Sequence, residues 1–304
     1  MEHTWKASVK AFVDLTRLHF GFAWPLLFSS GVFLAFWHTG SFDWIVLLKA
    51  VFIGFFGFEA GFVLNDLVDK ERDKKDVDSR LTSYWRLFKR RPISEGLISA
   101  KKAFVVFLVF FVITTLLILN LPPPHSFYVF IVMIYCYSME FFYQMYKRRE
   151  RYPIAQLLGR TDFALFPVAG YLVVGHPDVI ALLYFLFFYP FAIAHLGAND
   201  LIDIENDKAR HMNSVTVLYG IQGTVWWILF FTFVHFITAV VFAAYLGWFV
   251  LVGFGVGFVL LFIANRTILK QKTPAAALKV LPCFHVTMII YSISLLLVAI
   301  FSLF

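Results

Sequence analysis

The chain has 304 residues, of which 61% are hydrophobic and only 15% charged, and its mean hydropathy is +0.78. Such values exclude an ordinary soluble domain and describe an integral, polytopic membrane protein embedded among lipids. The net charge of +7 does not signal nucleic acid, because the basic residues follow the loops of a membrane topology and nothing resembles a base-reading module; no nucleic-acid partner is expected.

Residues 1–16 are mixed in character and carry no cleavable signal pattern. Trp5, Val9 and Phe12 recur there at helical spacing, which fits either an interfacial helix or a solvated tail. Nine apolar stretches of about 20 residues then follow, each long enough to cross about 30 Å of hydrocarbon. They lie near 17–37, 43–64, 98–120, 126–146, 154–174, 178–198, 223–246, 248–268 and 280–303. Cys136 and Cys283 both fall inside these stretches, leaving no disulfide framework and no cysteine-based metal spacing.

The connections alternate. Those at 38–42, 121–125, 175–177 and near 247 have no Lys or Arg, whereas the others hold 3 basic residues through Arg17, 11 from Lys70 to Lys102, 5 from Lys147 to Arg160, 2 at Lys208 and Arg210, and 4 from Arg266 to Lys279. The positive-inside rule places the basic segments and the N-terminus in the cytoplasm and the C-terminus on the opposite side.

Two nonapeptides stand out against this apolar background. Asn65–Asp73 (NDLVDKERD) and Asn199–Asp207 (NDLIDIEND) agree at six of nine positions across an offset of 134 residues. Adding the same offset to the first two spans reproduces the fifth and sixth, after which the correspondence slips by about nine residues, because the segment after the first motif is longer. The expected organisation is a single domain over 1–304: two four-helix pseudo-repeats, about 17–146 and 154–268, a ninth helix at 280–303, and cytoplasmic cap loops at about 65–97 and 199–222. On a helix turning about 100° per residue, Asp69, Asp73 and Asp66 fall at about 40°, 80° and 100° from Asn65. The same spacing groups Asn199, Asp200, Asp203 and Asp207, while Glu71 and Glu205 turn away. Clustered carboxylates beside lipid are costly and need cations; oxygen donors of this kind suit Mg²⁺, which completes its shell with water and phosphate. Two facing clusters would hold Mg²⁺ ions bridged by a diphosphate. The plainer alternative is a pair of solvated helix ends with i, i+4 ion pairs.

Tyr143 and Lys147 lie one turn apart at the end of the fourth span, where they either reach a phosphate oxygen or anchor the helix at the interface. Glu59, Glu140, Asp162 and His195 also fall in or near apolar spans; Asp162 or Glu140 would position or deprotonate an acceptor, or serve as a packing partner, with Arg160 a ready neighbour for Asp162.

These motifs resemble those of the UbiA family of intramembrane prenyltransferases. The family's Asn-Asp-x2-Asp-x3-Asp is met at Asn65, Asp66, Asp69 and Asp73, its second acidic motif at Asp200, Asp203 and Asp207, and its Tyr-x3-Lys element at Tyr143 and Lys147. RPISEG at Arg91–Gly96, and Thr216 with Gly220, add to the likeness. The stretch between Asp73 and Arg91 is longer than usual, and the second motif opens with Asn199-Asp200 in a spacing that some members share.

The resemblance implies an all-α fold of nine transmembrane helices around a central cavity. It also implies Mg²⁺-dependent transfer of an isoprenyl group from an allylic polyprenyl diphosphate to a lipophilic acceptor. Asp69, Asp203, Tyr143 and Lys147 become the expected catalytic residues. Asn65, Asp66, Asp69, Asp73, Asn199, Asp200, Asp203 and Asp207 become the expected metal ligands. Arg72 and Arg91, with Asn65, Asn199, Tyr143 and Lys147, are expected to bind substrate. Two other readings compete: a terpene cyclase acting on the diphosphate alone, and an ion-coupled transporter, whose acidic groups should sit near the bilayer midplane rather than at helix ends.

Overall fold

The computed structural model describes residues 2–303, and among them there is no β-strand. The helices are α1 (Glu2–Leu15), α2 (Ala23–Thr39), α3 (Trp44–Asp73), α4 (Arg80–Trp85), α5 (Ala100–Leu119), α6 (His125–Tyr146), α7 (Ile154–Gly159), α8 (Thr161–Leu172), α9 (Val179–Ile202), α10 (Ile204–Ala209), α11 (Val215–Leu246), α12 (Leu251–Gln271) and α13 (Pro274–Leu303). Several begin at polar caps of the expected kind. The Asp43 carboxylate accepts from the amides of Ile45 and Val46 to start α3, and Asp178 does the same for Ile180 and Ala181 at α9.

Eight helices among the described residues are long and apolar enough to cross a membrane. They correspond to eight of the nine expected spans. The fifth, expected at 154–174, is instead divided at Arg160 into α7 and α8. With 12 residues, α8 is about 18 Å long, short of the hydrocarbon thickness. The second span also differs, since α3 continues past residue 64 to Asp73 and carries the whole first motif on one helix. The segment expected as a second cap loop is largely helical, formed by the end of α9, α10 and the start of α11, whose backbone breaks at Gly220 (φ 68°).

α2 lies at the centre, packed on α3, α8 and α13; α8 also packs on α6 and α9, and α9 on α11 and α13. The α2–α8 crossing depends on two glycines. A Cβ on Gly31 would lie 2.0 Å from the Pro167 carbonyl oxygen, and one on Gly170 would lie 1.9 Å from that of Phe28, so only hydrogen atoms fit between the backbones. Outward faces are greasy: Phe104, Leu108 and Leu116 on α5, and Trp226, Phe230 and Phe233 on α11, are all exposed, as suits contact with acyl chains.

At the basic end, α1 turns Trp5, Val9 and Phe12 outward and Asp14 inward, the arrangement of an interfacial helix. The fully buried Asp14 carboxylate accepts from the amides of Phe88 (2.8 Å) and Arg90 (2.9 Å). Arg86 donates to the Asp14 carbonyl (2.7 Å) and, through Nη2, to both oxygens of Asp66 (2.9 Å each), which Arg17 also reaches at 3.1 Å. The long segment after the first motif is thereby strapped between α1 and α3.

Two consequences are measurable by thermal unfolding in detergent. Gly170→Val should destabilise the protein by about 3 kcal/mol or more through backbone clash, whereas Gly255→Ala, where a Cβ meets nothing within 4 Å, should be neutral or slightly stabilising. Arg86→Met should cost about 3 kcal/mol by stranding the buried Asp66 charge. Adding Asp66→Asn to it should recover most of that loss; no recovery would mean that the pair is not what Arg86 contributes.

Candidate functional site

A cavity of about 300 Å³ opens at the basic end of the bundle and runs inward between α2, α3, α6, α8, α9 and α13. Its mouth is lined by Asn65, Asp69 and Asp73 from α3, Tyr143 and Lys147 from the end of α6, Asn199, Asp200, Asp203 and Asp207 from α9 and α10, and Arg91 from the strapped segment. The two nonapeptides, 134 residues apart in sequence, therefore face one space. Its depth is apolar and aromatic, with Trp24, Phe28, Phe58, Phe166, Ile118 and Met288 on the walls. Trp24 and Phe58 stack at 3.8 Å, and Phe166 meets Phe58 edge-on at 4.8 Å.

Two expected site residues lie elsewhere. Asp66 is held by Arg86 and Arg17 on the flank of α3 facing α1, and Arg72 donates to the Arg210 carbonyl oxygen (2.7 Å); neither lines the cavity. Both matching glutamates point to solvent, where Glu71 pairs with Lys74 and Glu205 with Lys208. The second motif is not one continuous helix, because α9 ends at Ile202 and Asp203 has φ −93°, ψ 11°. The i, i+4 backbone bonds nevertheless persist, Asp203 to Asn199 and Asp207 to Asp203, each 2.9 Å, so the helical register survives the break.

Three of the carboxylates at the mouth are compensated by arginines. Asp69 accepts from Arg148 (3.0 Å), Asp73 meets Arg91 (2.7 Å) and Arg210 (3.4 Å), and Asp203 meets Arg210 (3.4 Å) while accepting from the Asn206 side-chain amide (2.6 Å). Asp76, just past the first motif, is bound by both Arg91 and Arg210. Burial pushes the Asp203 carboxyl up to about 6 against the pull of Arg210, and pushes Asp207 up against that of Lys147. Among the described residues no three acidic, His or Cys side chains already converge on one metal-sized point. The donor set nevertheless suits a hard divalent cation: it is all oxygen, deeply buried, and includes Asn199 Oδ1, which is buried without a hydrogen-bond partner.

Tyr143 is buried, with Lys147 Nζ 4.4 Å from its ring centroid. Gly159 makes room for that ring, since a Cβ there would lie 2.8 Å from the Tyr143 Cβ. Sequence reasoning missed Arg210, Asp76 and Arg148 as partners of the motifs. A signal existed for two of them: Asp76 and Arg210 each stand three residues beyond a motif aspartate, one turn along the same helical path.

The sequence pattern of the UbiA prenyltransferase family matches residues 22–301. A 4-hydroxybenzoate octaprenyltransferase of Psychrobacter arcticus is 27% identical over 161 residues, 53% of this chain; the match spans about half, 48%, of that relative's length. A protoheme IX farnesyltransferase of Neorickettsia sennetsu is 28% identical over 250 residues, covering 80% of this chain and 78% of the relative. Among solved structures, a UbiA homologue from Archaeoglobus fulgidus bound to GPP and Mg²⁺ superposes with a TM-score of 0.69 at 16% identity, covering 94% of this chain and 99% of that one, a likeness of fold. With the family pattern extending over nearly its whole length, this chain belongs to the UbiA prenyltransferase family.

Proposed function

We propose that the protein transfers an isoprenyl group from an allylic polyprenyl diphosphate to a lipophilic acceptor, with Mg²⁺ as cofactor. The observation that carries this reading is a single cavity with a polar mouth, lined by both acidic motifs, Tyr143 and Lys147, and an aromatic, apolar depth. An allylic diphosphate has the same division, a trianionic head on a hydrocarbon tail. Its relatives named as prenyltransferases, and the GPP and Mg²⁺ bound by the Archaeoglobus homologue, support the same donor class.

In this reading Asp69 and Asp73 from one half of the chain, and Asp200, Asp203 and Asp207 from the other, hold the metal with the side-chain oxygens of Asn65 and Asn199. Asp66 is an ion-pair anchor of α3 rather than a ligand. Mg²⁺ bound there supplies neutralisation of the charge that builds on the departing diphosphate. Lys147 and Arg91 add cationic hydrogen-bond donors to the same oxygens, and Tyr143 positions Lys147 by its ring. The faces of Trp24, Phe58 and Phe166 offer electron-rich walls to an allylic cation and keep water from it. The concentration of Lys and Arg around the mouth supports a cytoplasmic location for it, and the two matching motifs support a reading in which each of two four-helix halves contributes one.

The test is consumption of labelled allylic diphosphates across a range of chain lengths by purified protein with Mg²⁺, with product analysis. Asp69→Ala and Asp203→Ala should each lower turnover by roughly 10²-fold or more without impairing membrane insertion, while Glu71→Ala should stay within about twofold. Neither binding nor consumption of any donor would sink the reading. Equal losses in all three variants would defeat the assignment of the ligand face.

A further inference from the structure

The charged groups lining the cavity fall into two kinds. Those of the two motifs that have an arginine partner are closed into contacts of 2.7–3.4 Å, as Asp69, Asp73 and Asp203 are with Arg148, Arg91 and Arg210. Arg160 and Asp162, farther in, are not. Arg160 occupies the junction of α7 and α8, and its Nη1 comes no nearer than 4.0 Å to Asp162 Oδ1. Its buried Nε has no hydrogen-bond partner. Asp162 Oδ1 accepts from the amide of Phe163 at the first turn of α8. Beside Asp162, Glu140 Oε1 is taken by the side-chain amides of Asn65 (2.6 Å) and Gln144 (2.8 Å). Ionisable groups at membrane depth are costly, and a structural ion pair repays that cost by closing to about 2.7–2.9 Å with its hydrogen bonds filled. Arg160 and Asp162 do not close on one another in this way, although both line the cavity: Asp162 is hydrogen-bonded to the Glu140 carboxyl instead, and Arg160 Nε is left without a partner.

Its position relates it to the proposed donor site. The ring of Tyr143 has Lys147 Nζ at 4.4 Å and the Arg160 guanidinium at 5.4 Å, so Arg160 and Asp162 stand one aromatic ring away from the diphosphate donors. Attaching a prenyl group to a nucleophile releases a proton, and in an apolar cavity that proton needs a base within reach. Asp69, Asp73 and Asp203 at the mouth are committed to arginines, Asp200 accepts from the Val215 amide and belongs with Asp207 to the proposed metal site, and Glu140 is held by two amides. Two carboxyls beside one guanidinium leave no deficit of negative charge at this point of the pocket. The pocket has room for a hydrogen-bond donor.

We infer that Arg160 and Asp162 form the subsite for the reacting end of the acceptor, and that this acceptor carries a hydroxyl group whose proton Asp162 receives. The inference rests on the prenyl-transfer reading above. In the step, the allylic C–O bond breaks and its electron pair leaves with the diphosphate. With an alcohol, the hydroxyl oxygen forms the new bond to the allylic carbon as its proton passes to Asp162. With a phenol, a ring carbon forms that bond while Asp162 takes the hydroxyl proton, and the resulting dienone becomes aromatic again by moving the ring proton to oxygen. Arg160 holds Asp162 in place and offers its free Nε–H to a second oxygen of the acceptor.

The test supplies wild-type protein and Mg²⁺ with labelled geranyl diphosphate and four acceptors: 4-hydroxybenzoate, a glycerol monoether phosphate, and the O-methyl counterpart of each. The hydroxylated member that reacts tells phenol from alcohol, and its O-methyl counterpart should give no product. Asp162→Asn should lower kcat for transfer by about 10²-fold or more, and Arg160→Lys should raise the acceptor KM about tenfold. In both variants the affinity for unreactive geranyl thiolodiphosphate with Mg²⁺ should stay within about twofold of wild type. Should Asp162→Asn fail to fold, Arg160→Lys carries the same comparison. Transfer surviving in Asp162→Asn, or donor affinity falling in step with it, would overturn the inference, as would diphosphate release that yields only hydrolysed or cyclised product. Wild-type protein that releases no diphosphate defeats the prenyl-transfer reading itself.

Discussion

Compensation of buried carboxylate charge organises the basic end of this bundle. Asp66, Asp69, Asp73, Asp200, Asp203 and Asp207 are all less than a tenth exposed. Carboxylates gathered in this way repel one another and lose hydration, and a buried charge left unpaired costs several kcal/mol. Arginines from four separate segments answer that cost: Arg17 at the end of α1, Arg86 and Arg91 from the strapped segment, Arg148 after α6, and Arg210 after α10. Arg210 matters most for architecture, because it touches Asp73 from the first motif and Asp203 from the second, joining the two halves at the cavity mouth. The cap's path over the cavity is set by where these guanidinium groups must be.

The same arrangement bears on the entry of a charged donor. In the proposed reading, two Mg²⁺ ions with an allylic diphosphate would add roughly one net positive charge, which a mouth already near neutrality would accommodate without a large electrostatic imbalance. In that reading the carboxylates would hold the cation, and the arginines now paired with them would be available as planar donors to diphosphate oxygens. Arg91 is the clearest case. It contacts Asp73 and Asp76 at 2.7 Å each while lining the cavity itself.

Much of this was legible in the sequence, and the exceptions have physical causes. Apolar length located eight membrane helices, because hydropathy over about 20 residues is a strong local signal. Helical phase separated Asp69 and Asp73 from Glu71, since all three lie on the unbroken α3. Phase alone could not decide between Asp66 and its neighbours. Asp66 sits at the edge of the same arc, and its side chain is claimed by Arg86, 20 residues away, through a tertiary contact that no local pattern encodes. Arg72 shows the same limit, adjacent to the motif in sequence yet spent on the Arg210 carbonyl. Abundance of phenylalanine was equally uninformative: Phe104, Phe230 and Phe233 face outward, whereas Phe58 and Phe166 line the cavity, a division set by helix packing.

The one expected span that is divided in the structure also carries a buried guanidinium nitrogen without a hydrogen-bond partner, Arg160 Nε. A continuous transmembrane helix over 154–174 would place Arg160 and Asp162 mid-helix, with their backbone amides already bonded. Division at Arg160 instead puts Asp162 in the first turn of α8, where a free amide, that of Phe163, is available to its carboxylate and the helix N-terminus favours negative charge. The break also depends on Gly159, whose missing side chain lets α7 lie against the Tyr143 ring and brings Arg160 to its other side. Irregular backbone at membrane depth is tolerated only where it is buried in protein or lines a polar cavity, and here it does the latter. A division of the helix that positions two ionisable groups at the wall of the candidate site, with Arg160 left open toward the cavity rather than closed on Asp162, is better explained by a ligand that completes the site than by packing.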